Sequence, residues 1–225
     1  VTPGRAFEDT TLTASAVAFD PDGDATTISW TWYVNGVELD GVEGPTLDGT
    51  SFDRGDAVVA VAVPDDGFVQ GEPVSSEAIE ILNAAPSLDA AAIDQEIVQE
   101  ATEVTCSVEG FADIDGDPEQ VRIAWEVNGR LATEAPTLTG AFFGKGDTIV
   151  CAATPFDGSD EGRTVRSAPV VVQDTAPVAG GVSITPSEPT VSDTLSAEAT
   201  GLVDADGDVT DVDYTWRIDG EVVGE

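Results

Sequence analysis

One motif, written three times at near-constant spacing, constrains this chain more than any property of its composition. ASAVAFDPDGDATTISWTWYVNG (14–36) matches SVEGFADIDGDPEQVRIAWEVNG (107–129), and SAEATGLVDADGDVTDVDYTWRIDG (196–220) carries the pattern again. The leading aspartates are Asp20, Asp113 and Asp204, which sets periods of 93 and 91 residues. In each copy the third aspartate lies eight residues before a tryptophan: Asp24 to Trp32, Asp117 to Trp125, Asp208 to Trp216. Three residues after each tryptophan comes a turn pair, Asn35-Gly36, Asn128-Gly129 or Asp219-Gly220. Self-similarity at a fixed period is the signature of a tandem array. Later landmarks recur as well, PTLDGTSFDRGDAVVAVAVPDDG (45–67) and then PTLTGAFFGKGDTIVCAATPFDG (136–158).

The repeats predict domains at 1–85, 86–176 and 177–225. VTPGRAFEDTTL (1–12) aligns without gaps on ITPSEPTVSDTL (184–195), so two whole units come first and the third is half written at Glu225. Half a sandwich does not bury its own face, so continuation of the chain is expected to complete it, with a strand from another chain as the alternative.

Within a unit every signal is strand. TLTASAVAF, RIAWEVNG, DTIVCAAT and SAPVVVQ are short, alternating and rich in β-branched residues, with Gly, Pro and Asp between them. The Asn-Gly and Asp-Gly pairs suit a two-residue hairpin that needs positive φ at both central positions. The nearest approach to a helical period, AAAIDQEIVQEATE (90–103), falls where the repeat calls for strands. Seven or so short strands in about 92 residues predict an all-β fold of tandem antiparallel Greek-key β-sandwiches. Cys106, Trp125 and Cys151 follow the order of the immunoglobulin-type sandwich, in which the tryptophan packs on a disulfide joining the two sheets. In the first unit Ala14 and Ala60 stand opposite the two cysteines, which are thus absent together as a bonded pair would be. The alternative is a pair of buried thiols. A disulfide implies an oxidising, extracytoplasmic setting.

The D-x-D-G-D loop, the W-x-x-N/D-G hairpin, the G-D…P-x-D-G segment and the N/D-x-A-P junction resemble the tandem immunoglobulin-like, cadherin-like and PKD-like repeats of large secreted bacterial surface proteins. The resemblance covers essentially the whole chain, although the W-D-F-G-D-G signature of true PKD domains is absent. It implies calcium-stiffened spacers or adhesive modules.

Charge points to cations independently. Eight Lys and Arg stand against 44 Asp and Glu, a formal net charge of −36. Such a chain repels nucleic acid and anionic lipid; the same acidity would also suit a salt-rich environment. No apolar run approaches the length of a membrane helix, and VTPGRAFEDT lacks the pattern of a signal peptide. Closely spaced carboxylates supply several of the six to eight oxygens that Ca²⁺ takes. The candidate ligands are Asp20, Asp22 and Asp24; Asp113, Asp115 and Asp117; and Asp204, Asp206 and Asp208. The loop is not an EF-hand, because its glycine is fourth and its twelfth residues are Thr31, Ala124 and Thr215. In an immunoglobulin-type sandwich the loop between the last two strands shares an end with it. Asp65 and Asp66 are therefore expected to face the first loop, and Asp157 and Asp160 the second. The linkers NAAP (83–86) and DTAP (174–177) reach the same end, so Asn83 and Asp174 join the candidate set. The alternative is that Asp and Gly merely make good turns on an acidic surface. Mg²⁺ is the weaker candidate, since it retains waters rather than entering all-protein cages.

Catalysis has little to rest on: the chain has no His and a single Lys, and it shows no nucleophile with a base. Arg54-Gly55-Asp56 spells the integrin tripeptide, but Lys145-Gly146-Asp147 at the equivalent place reads as a turn with a basic residue. Trp30 is extra to the pattern and is expected to pack rather than to stack on a sugar. The leading reading is a non-catalytic stalk, fibre or adhesin shaft whose first partners are its own neighbouring repeats, with other copies or a cell-surface receptor or glycan beyond them. The alternatives are a ligand- or carbohydrate-binding accessory module of a secreted enzyme, and a filament subunit completed by strand exchange.

Overall fold

Strand Ala57–Asp65 shows how the pattern becomes structure: Val58, Ala60 and Ala62 are buried at every second position, the period of a half-buried strand. The computed structural model describes residues 1–208 and 210–224. The protein is all-β, built of antiparallel strands. A 3₁₀ turn, Gly49–Ser51, is capped by the Asp48 carboxylate on the Thr50 N–H. The segment 90–103 holds the strand Ala90–Ile93 and no helix. The chain divides into two compact units, Val1–Asp89 with Glu109–Arg122 and Thr154–Thr164, and Ala90–Val108 with Ile123–Ala153 and Val165–Glu225.

In the first unit one sheet runs in the order Val37–Glu38, Thr27–Val34, Ala57–Asp65 and Val74–Ser75, with Ile79–Glu80 also on Ala57–Asp65. The facing pair is Leu12–Thr13 with Thr46–Leu47. Between them lies a core of Ala6, Leu12, Ala14, Trp32, Leu47, Phe52, Val58, Ala60 and Ile81. In the second repeat one sheet runs Arg130–Thr133, Val121–Val127, Thr148–Pro155, Val165–Arg166, and the other Thr137–Leu138, Val104–Glu109, Ala90–Ile93. Its core is Val98, Val104, Trp125, Leu138, Phe143, Ile149, Cys151 and Val172. The two cores correspond position by position at the repeat spacing, Trp32 with Trp125, Phe52 with Phe143, Ile81 with Val172. Cys106 and Cys151 are bonded, with Cα atoms 6.0 Å apart. The bond joins Val104–Glu109 of one sheet to Thr148–Pro155 of the other, the immunoglobulin-like arrangement. Trp30 packs against the first core from the strand that also carries Trp32.

The hairpin pairs adopt the backbone that their residue types favour. Asn35, Asn128 and Asp219 have φ of 50°, 52° and 50°, each followed by a glycine at positive φ. The asparagine side chains also do something that the turn alone does not require. Asn35 donates to Asp56 at 2.7 Å and accepts from the Ala57 N–H at 3.0 Å; Asn128 does the same with Asp147 and Thr148 at 2.7 and 3.0 Å. The W-x-x-N-G hairpin is thereby tied to the G-D turn in both copies. The third repeat contributes two antiparallel pairs, Gly181–Thr185 with Ser196–Thr200 and Trp216–Ile218 with Glu221–Gly224.

Candidate metal centres

Each D-x-D-G-D loop is folded by its leading aspartate. Asp20 Oδ1 accepts from the N–H groups of Asp22, Gly23 and Asp24 at 2.7, 3.0 and 3.3 Å. Asp113 Oδ1 accepts from Asp115 and Asp117 at 2.9 and 3.5 Å, and Asp204 Oδ1 from Asp206 and Asp208 at 2.9 and 3.2 Å. Gly23, Gly116 and Gly207 take the positive φ that closes the loop, at 89°, 73° and 74°. Such turns form on any Asp-Gly surface, and they bring no two carboxylates together by themselves.

The middle aspartate goes further. In the first unit Asp115 Oδ2 accepts from the Ala84 N–H at 2.8 Å, and in the second Asp206 Oδ2 accepts from the Thr175 N–H at 2.6 Å. Both donors belong to the segment that follows one repeat and leads into the next. The Asp115 side chain is only 1% exposed. Its Oδ1 and Asp113 Oδ2 are buried with no hydrogen-bond partner, as are Asp206 Oδ1 and Thr175 Oγ1 in the second unit. An orphaned buried carboxylate oxygen costs free energy unless something positive meets it.

Ligand atoms of Asp113, Asp115 and Asp117 lie within 4.8 Å of one another, and so do those of Asp174, Asp206 and Asp208. Asn83 links the first set to the facing loop, its amide donating to Asp157 and Asp160, each at 2.8 Å. Burial pushes the Asp157 carboxyl up. Hydrogen bonds from the Asp160 N–H, Asn83 and the Ser159 N–H, with the charge of Arg54, outweigh it and hold the group below the usual carboxylate range. The chemistry of the set, hard carboxylate oxygens with a carboxamide and buried acceptors without donors, fits Ca²⁺.

Two basic side chains reach these clusters. Arg54 donates to both oxygens of Asp117 (3.3 Å to Oδ1) and to Asn83 Oδ1, and lies 3.5 Å from Asp115 Oδ2. Lys145 pairs with Asp174 at 2.6 Å and also with Asp208. The bond from Lys145 is the main cause that holds Asp174 below the usual carboxylate range, while the bonds to Asp174 and then Asp208 raise the pKa of Lys145. Both turns are recovered as expected, but the destination of their basic side chains is new. The sequence did hold a signal: among eight Lys and Arg in the chain, Arg54 and Lys145 are the pair that recurs at the repeat spacing.

The remaining candidates are placed differently. Asp65 and Asp66 do line a cleft with Asp20; Oδ1 of each holds its own turn, through Gly67, Phe68 and Val69 at 2.6, 2.7 and 2.7 Å, as Asp157 Oδ1 does through Ser159 and Asp160. Among the described residues Asp20, Asp22 and Asp24 are not drawn into a three-carboxylate cluster. Asp204 shapes its loop, whereas Asp174 joins Asp206 and Asp208. Asp56 of the Arg-Gly-Asp turn is engaged by Asn35 and by the Asp53 N–H at 2.8 Å, so its carboxylate serves the fold.

No protein-family model matches the chain, and no curated protein matches it. Among solved structures it is similar to a two fibronectin type-III domain segment from chicken tenascin, at 14% identity and a TM-score of 0.38, covering 73% of this chain and 93% of that one. It is also similar to a Ca²⁺-stabilized adhesin with which an Antarctic bacterium reaches out and binds ice, at 16% identity and a TM-score of 0.34 over 85% of this chain and 52% of that one. A third likeness is to Sidekick-1 immunoglobulin domains 1–5, at 17% identity and a TM-score of 0.24 over 76% of this chain and 38% of that one.

Proposed function

We propose that this chain is a non-catalytic segment of a long extracellular repeat protein, a stalk, fibre or adhesin shaft stiffened by Ca²⁺ at its acidic loops. The repeats are 1–85, 86–176 and 177–225, and the principal partner of each is its neighbour in the chain. The observation that carries the reading is Asp115. One oxygen of this buried side chain holds the backbone N–H of Ala84, and the other has no protein partner and belongs to a three-carboxylate cluster. Asp113, Asp115 and Asp117, with Asn83, Asp157 and Asp160 beside them, would hold the ion; Asp174, Asp206 and Asp208 would hold the second. The ion supplies positive charge to oxygens that repel each other. The chain supplies the Asx-turned loops that present those oxygens and the backbone bond that ties the loop to the segment between repeats. The Cys106–Cys151 bond supports an extracellular location.

A ligand that binds the native state alone raises its stability. Millimolar Ca²⁺ is expected to raise the melting temperature of the chain, and EDTA to reverse the rise. An unchanged melting curve would sink the reading.

A further inference from the structure

The basic residue of each G-D turn is held in place by more than its own side chain. The backbone N–H of Arg54 donates to Glu8 Oε1 at 2.8 Å, and that of Gly55 to the carbonyl of buried Ile81 at 2.8 Å. In the second unit Lys145 N–H donates to Glu100 Oε1 at 3.0 Å and Gly146 N–H to the carbonyl of buried Val172 at 2.9 Å. Ile81 lies two residues before Asn83, and Val172 two before Asp174, so each turn is fastened to the end of the strand that leads into the next repeat. From there both side chains span 63 residues of sequence to the third aspartate of an acidic loop, Asp117 or Asp208. The fork of Arg54 takes both oxygens of Asp117, and Lys145 acts as a point charge between Asp174 and Asp208.

We infer that Arg54 and Lys145 are tethered counter-cations of the two carboxylate clusters. Each latches its loop to the preceding turn when calcium is scarce and yields its carboxylates when calcium binds. The competitive half rests on the calcium reading above, and the latch itself does not. One guanidinium among Asp113, Asp115, Asp117, Asp157 and Asp160 leaves the cluster strongly negative, and it leaves Asp115 Oδ1 without a partner. The site therefore keeps its attraction for a divalent ion. The ion draws on Asp115 and Asp117, the carboxylates that Arg54 uses, so the two cations exclude one another there. Because the Arg54 side chain is 37% exposed, salt screens the latch appreciably.

The test uses the full chain and Arg54→Gln, with Arg54→Lys as the conservative variant because lysine stands at this place in the second repeat. In EDTA at low salt, Arg54→Gln lowers the melting temperature and makes it less sensitive to added NaCl, and Arg54→Lys restores part of the loss, the charge without the fork. In a calcium titration by calorimetry, Arg54→Gln binds its ion roughly two- to fivefold more tightly than the wild type, the range expected when a partly exposed ion pair no longer competes. An unchanged melting temperature in EDTA overturns the latch, and unchanged calcium affinity overturns the competition. If neither protein binds calcium, the calcium reading and the competition fall together, and the EDTA melting temperatures alone decide the latch.

Discussion

The first and second cores use the same places differently. In the second, Cys106 and Cys151 are bonded between the sheets and Ile123 packs beside them. In the first, Ala14 and Ala60 stand at the cysteine positions, and Trp30 stands where the second has Ile123. Trp30 packs against the first core from its margin, beside an open cleft that Ala14, Ala60 and Ala62 also line where the second repeat has its two sulfur atoms. One repeat is thus closed covalently and the other by packing alone. The tryptophans at the centres differ as well. Trp32 donates its indole N–H to the Gly44 carbonyl at 3.1 Å, whereas the Trp125 Nε1 is buried without a partner.

Removing the covalent closure should cost the second repeat more than any other change considered. The bond closes a loop across 45 residues of sequence, worth about 4 kcal/mol by the chain-entropy argument. Cys106→Ala with Cys151→Ala, or simple reduction, is expected to destabilise the second repeat by an amount of this order. Chemical denaturation with and without reductant checks it: one transition moves and the other stays. If both move equally, the cores are not separately closed.

The two central tryptophans should differ by less. Trp32→Phe loses ring volume and leaves the Gly44 carbonyl without its donor. Trp125→Phe loses the same volume while removing an unsatisfied N–H. The first is therefore expected to cost about 1 kcal/mol more than the second, the net worth of one hydrogen bond. Urea midpoints of the two single variants measure the difference, and an equal or reversed cost would contradict the packing described.

The strands, hairpins and disulfide were legible in the sequence because their signals are local and then repeated: alternation, Asn-Gly, and a Cys–Trp–Cys order with its paired absence in the first unit. The D-x-D-G-D loops were legible for the same reason, since Asp and Gly at these spacings dictate an Asx-turned loop. What the chain hides is long-range. Asn35 finding Asp56, and Asn128 finding Asp147, turns two separate motifs into one fastening. Arg54 and Lys145 look like ordinary turn residues because their side-chain partners lie 63 positions away. The three acidic loops also look alike as sequence. The second and third place their middle aspartate on the backbone of a linker, through Ala84 and Thr175, each 31 positions away.

Calcium binding where a buried aspartate meets the segment between repeats is tested by counting the bound ions. Calcium titrated into the full chain at physiological ionic strength is expected to saturate in the submillimolar to millimolar range typical of extracellular modules. Asp115→Asn should remove one bound ion and Asp206→Asn another, since each keeps its size but loses the charge at an orphaned oxygen. Absence of saturable binding, or the same number of bound ions in both variants as in the wild type, would contradict the account.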